Sequence, residues 1–160
     1  MNTALDIVVN GEPIKPGGPI HTDSLRRAGL GKIPGWQRWF RRLPGGFEYW
    51  RAADPRVNCF DGGVEIYACR HDYLDHDRRW GTDCLIRLRG DRVVDLEFRI
   101  IEGVYAAGNL FDRFVDAGSD VLGEPDERDG GFAEWRHDNL HVEAALADDT
   151  RNARFRVAAV

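Results

Sequence analysis

Two stretches of this chain set imidazoles beside carboxylates, the mixture that metal binding and general acid–base catalysis draw on. One is Arg70-His71-Asp72-Tyr73-Leu74-Asp75-His76-Asp77, and the other is Arg136-His137-Asp138-Asn139-Leu140-His141. Their spacing speaks against such chemistry. His71 and His76 are five apart, a poor fit to one helical face, and His137 and His141 straddle a turn. Asp is also an ordinary turn residue. The expectation is therefore solvated loops, with no catalytic residue, no metal and no cofactor.

The other chemical candidates are weaker. Gly29-Leu30-Gly31-Lys32-Ile33-Pro34-Gly35 approaches a dinucleotide fingerprint, but Pro34 replaces the third glycine and no βαβ unit surrounds it. Cys84 sits inside an alternating strand pattern, as a buried thiol would. Ser24 and Ser119 are the only serines, and neither lies in a nucleophile motif. The chain reads as a protein that is not an enzyme.

Charge offers two surfaces. From Leu25 to Arg51, seven basic residues face one acid; from Ile101 to Thr150, thirteen acids face three arginines. Such asymmetry can steer a charged partner. On the acidic side, Asp112, Asp116 and Asp120 recur every four residues, which aligns them along one face of a helix. Glu124, Asp126, Glu127 and Asp129 carry the charge into the loop beyond. These seven are the candidate partner-binding residues, suited to a protein with a basic surface. On the basic side, Trp36-Gln37-Arg38-Trp39-Phe40-Arg41-Arg42 mixes arginine with aromatics, as single-stranded nucleic acid or anionic lipid would require. That segment supports an alternative, a nucleic-acid or membrane-surface adaptor, which is not favoured because such aromatics commonly pack onto a sheet.

The elements that must position these residues are legible from periodicity. Leu110, Phe111, Phe114, Val115, Val121 and Leu122 recur at helical spacing, with Asn109 as N-cap, Gly123 at the C′ position and Pro125 ending the helix. Leu140 to Leu146 alternates as a half-buried strand, and Phe155 to Ala159 repeats the pattern after a turn at Asp148-Asp149. Cys84 to Ile101 is the clearest hairpin, turning at Gly90-Asp91, with Ile86, Leu88, Leu96 and Phe98 facing inward. Asn10-Gly11 and Asp61-Gly62-Gly63 mark further turns. Phe47 to Arg51 and Val57 to Phe60 read as separate strands divided by Ala53-Asp54-Pro55.

One internal echo ties these elements together. Gly45-Gly46-Phe47-Glu48-Tyr49-Trp50-Arg51 matches Gly130-Gly131-Phe132-Ala133-Glu134-Trp135-Arg136 at five of seven positions. Each copy follows a helix candidate ending in Leu30-Gly31-Lys32-Ile33-Pro34 or Leu122-Gly123-Glu124-Pro125. The expected organisation is a single domain, residues 1–160, with an internal repeat of 22–101 and 108–160 joined near Gly103 to Gly108. The expected fold class is α+β: two helix–β-meander units forming largely antiparallel sheet, with helices on one face.

A helix ending Leu-Gly-x-Pro before a Trp-bearing meander, duplicated, resembles the tandem arrangement of β-lactamase inhibitory proteins and BamE-like domains. The opening Val9-Asn10-Gly11-Glu12-Pro13-Ile14 resembles bacterial immunity proteins of toxin–immunity systems. Cys59, Cys69 and Cys84 cannot form the two disulfides of the inhibitory proteins, so the chain departs from them there. The resemblance implies a binding module with a toxin effector as its protein partner and no catalytic residues. Three thiols without zinc-type pairing, no secretory pattern at the start and no apolar run long enough to span a bilayer lead to the expectation of a cytoplasmic protein.

Overall fold

The computed structural model describes residues 5–40, 42–60, 62–69, 83–101, 107–137, 139–146 and 152–160. The His71–His76 loop, most of the Gly103–Gly108 joint and the Asp148-Asp149 turn lie outside the described residues. The described chain is mostly β-sheet. Its strands are β1 (Asp6–Val9), β2 (Glu12–Pro13), β3 (Gly31–Lys32), β4 (Glu48–Phe60), β5 (Gly63–Cys69), β6 (Asp83–Arg89) and β7 (Arg92–Ile101), followed by β8 (Glu127–Asp129), β9 (Phe132–His137), β10 (Leu140–Leu146) and β11 (Asn152–Ala159). The helices are α1 (Thr22–Arg27), α2 (Gly35–Phe40) and α3 (Ala107–Leu122). No helix among the described residues is long and apolar enough to cross a membrane.

All of the described strands join one sheet, in the order β2-β1-β5-β4-β6-β7-β11-β10-β9-β8, with β3 added beside β4. Pairing is antiparallel except where β1 lies parallel to β5. The hairpin β6–β7 is central, and its predicted inward residues Ile86, Leu88, Leu96 and Phe98 are all buried. Asn10 and Gly11 both adopt positive φ, the geometry that a tight hairpin between β1 and β2 demands.

β4 differs from the sequence-based expectation. Its two predicted strands are one, running unbroken from Glu48 to Phe60. The register shifts between Ala53 and Arg56, and the strand changes partner there, from β6 before the shift to β5 after it. Pro55 has no N–H to donate, and an irregularity is where a strand tolerates that loss. Asn109 is also not an N-cap, because α3 already begins at Ala107. Gly123 does adopt positive φ just beyond the last turn, as a C′ residue should.

α3 packs against strands as far apart in the sheet as β5 and β9, so the sheet curls around it. Phe114 is the centre of that packing, within 6.5 Å (ring centroids) of Phe98, Phe155 and Trp135. Gly118 lets the helix come close to Trp135: a β-carbon there would lie 3.0 Å from the indole.

Candidate functional site

The side of the sheet away from Phe98, Trp50 and Trp135 is built differently. Strand alternation sends every second residue there, and in the sheet's middle these residues are charged. Arg87 lies opposite Asp95, Glu97 opposite Arg156, Arg156 opposite Glu143, and Glu143 opposite Glu134. The result is a belt of ionised groups across five strands.

The belt has two ends. At one, buried Asp95 accepts hydrogen bonds from Arg87 (2.7 Å) and Arg156 (2.9 and 3.1 Å). Two guanidiniums on one carboxylate satisfy a charge that burial would otherwise make costly. The same residues, with Leu43, Pro44, Tyr49, Leu85, Glu97 and Arg154, line a cleft of about 320 Å³. Its wall is made by the chain before β4 folding back: Tyr49 Oη donates to Pro44 O (2.8 Å), and Arg38 donates to Phe47 O (2.7 Å).

At the other end stand Glu134, His141 and Glu143. Glu134 and Glu143 face each other across β9 and β10, and His141 is two residues from Glu143 on the same face. His141 Nε2 lies 3.1 Å from Glu134 Oε1 and 3.6 Å from Glu143 Oε1. Arg136 pairs with Glu134, and Arg154 approaches Glu143 at 3.5 Å. His141 lies inside a strand, as the alternation of residues 140–146 predicts, and not in the solvated loop expected of the Arg136–His141 stretch.

The acidic candidates fall into separate groups. Asp112, Asp116 and Asp120 are exposed along α3, and Glu124 follows them at the helix end. Among the described residues no cation pairs with any of these four. Asp126 instead accepts the Arg136 amide at 2.6 Å, at the open end of the β8–β9 hairpin, and Asp129 accepts that of Gly131 at 2.8 Å, at its turn. Glu127 lies 3.8 Å from Arg136, on the open face beside Glu134.

The basic aromatic segment folds as α2 with its polar Gln37 buried and its tryptophans outward: Trp36 is 61% exposed and Trp39 76%. Both rings are thus more than half exposed, unlike the commoner arrangement of such aromatics. Elsewhere the chemistry is quiet. Burial pushes the Cys59 thiol up to about 11, opposed in part by nearby Arg113, so it is held as an unreactive thiol. Comparison with protein-family models, with curated proteins and with solved structures gave no match.

Proposed function

We propose that this chain is a binding protein that neutralises a protein partner with a basic surface, as an immunity protein neutralises a toxin effector, in the bacterial cytoplasm and without catalysis of its own. The observation that carries this reading is the stripe of Asp112, Asp116, Asp120 and Glu124, exposed and without a cation from within the described chain. Like charges one turn apart repel each other. A complementary basic surface would relieve that repulsion and speed encounter. Two helix–meander units form the framework that presents the stripe.

The test uses the product of the adjacent reading frame as candidate partner. With Asp112, Asp116, Asp120 and Glu124 all changed to Lys, the association rate should fall at least tenfold at low salt and much less at high salt. Clustered charges are needed because the Debye length is only about 8 Å at 0.15 M. A rate unchanged at both salts removes the stripe from the interface.

A second reading is favoured by the exposure of Trp36 and Trp39. Exposed rings beside arginine suit stacking on single-stranded bases or insertion at an anionic bilayer surface. Trp36→Ala with Trp39→Ala should then abolish binding to a labelled oligonucleotide or to anionic vesicles, while the acidic reversals leave it intact.

A further inference from the structure

We infer that Glu134, His141 and Glu143 form a binding site for one divalent transition-metal cation of the zinc class. The three donor atoms, one from each side chain, lie within 4.8 Å of one another. Zinc takes nitrogen at about 2.0–2.1 Å and carboxylate oxygen at about 2.0–2.2 Å, so neighbouring donors in a tetrahedral shell stand about 3.4 Å apart. The imidazole-to-carboxylate separations, 3.1 and 3.6 Å, bracket that edge. One neutral imidazole and two carboxylates give a mixed set that suits zinc and its neighbours, and leaves a fourth position open to water.

Two further observations point to a cation between these groups. First, His141 Nε2 is shut off from solvent and, close as it is to Glu134, meets no partner in hydrogen-bond geometry. A protonated imidazole serving only as a salt-bridge donor would be expected to align its N–H with one oxygen. Second, Glu134 and Glu143 are direct cross-strand neighbours, and the Glu134 side chain is only 8% exposed. Like charges opposite each other on one sheet face are destabilising. Arg136 and Arg154 each meet one carboxylate from its side, so a cation between the two would relieve a repulsion that the arginines leave in place.

Arg136 and Arg154 fit the surroundings of such a site. Each approaches one of the two ligand carboxylates, Arg136 at Glu134 and Arg154 at Glu143 Oε2, and Arg136 also lies 3.8 Å from Glu127. Outer partners of this kind orient ligating carboxylates. Arg136 reaches Glu134 Oε1, the donor atom nearest His141, so a metal ion would require it to shift, and its side chain is 64% exposed and has room to move.

The experiment titrates chelator-stripped, untagged protein with zinc by calorimetry, and with cobalt by absorption spectroscopy. One equivalent should bind, the His141 ring nitrogens should shift in NMR spectra, and the cobalt spectrum should lack a thiolate charge-transfer band. His141→Ala and Glu143→Gln, checked for folding by circular dichroism, should each weaken binding at least a hundredfold. Saturable binding absent up to millimolar zinc would leave an ion-pair network only and overturn the proposal. So would a thiolate band, or binding that survives His141→Ala together with Glu143→Gln.

Discussion

Arg51 and Arg136 end the same Gly-Gly-Phe-x-x-Trp-Arg string, yet Arg51 is 3% exposed and the Arg136 side chain 64%. The strands that carry them pair alike. The first half of β4 has short β3 on one side and β6 on the other; β9 has short β8 and β10. Trp50 lies opposite Ile86, which lies opposite Leu96; Trp135 lies opposite Val142, which lies opposite Val157. Leu96 and Val157 then face each other at the seam of the two halves. The inward side is thus the same, and both tryptophans are fully buried. What differs is the link before each strand. Residues 33–47 separate β3 from β4 and fold over Tyr49, whereas only Gly130 and Gly131 separate β8 from β9. Strand alternation decides which residue faces in, and link length decides whether the outward residue is covered. The bare half is the one that carries Glu134, His141 and Glu143.

The largest effects should come from the shared inward side. Trp50→Ala and Trp135→Ala should each cost about 3–5 kcal/mol, the range for emptying a buried aromatic site. Chemical denaturation of both variants reads this directly. Costs within about 1 kcal/mol of each other sharpen the comparison. A loss below about 1 kcal/mol at either position breaks it.

The seam comes next. The residues just before Leu96 and Val157 carry opposite charges, Asp95 and Arg156, and they bond across β7 and β11. Removing one partner of a buried pair strands the others. Asp95→Ala should therefore cost about 3 kcal/mol, the low end for such pairs because both arginines are about a quarter exposed. Replacing Asp95 with Asn should cost less, since a carbonyl can still accept from one guanidinium. Equal losses for Ala and Asn would show that packing, not charge, holds the seam.

Much of this was readable from the chain alone, for physical reasons. Period-two alternation marks strands with one wet face, and β6, β7 and β10 lie where it puts them. The bend in β4 was not readable, because Asp54-Pro55 signals a break whether the strand ends or merely shifts register. The parallel β1–β5 contact is set by tertiary packing, which local pattern does not encode. Glu134, His141 and Glu143 were missed by a narrower margin. The pairing of His137 with Leu140 opens the β9–β10 register, and that register makes Glu134 and Glu143 neighbours. Setting His137 and His141 aside as residues that straddle a turn, without following the strand pairing beyond it, hid them.

The smallest effect separates the two arginines themselves. Arg51→Ala removes a buried charged side chain and should cost about 2 kcal/mol, within the range for hydrogen bonds to charged groups. An exposed ion pair is worth about 0–1 kcal/mol, and Arg136 by its own exposure belongs there. Its partner does not, because Glu134 is buried and loses its nearest guanidinium when Arg136 is removed. Arg136→Ala should accordingly cost about 1 kcal/mol, the top of the exposed range, and most of that cost should vanish when Glu134 is already Gln. A double-mutant cycle measures the difference. A coupling energy near zero would mean that solvent screens Arg136 and that the buried carboxylate is held by His141 instead. A clear coupling would make cover, not charge, the distinction between the halves: in each the arginine is stabilising, through its own burial in one and through its neighbour's in the other.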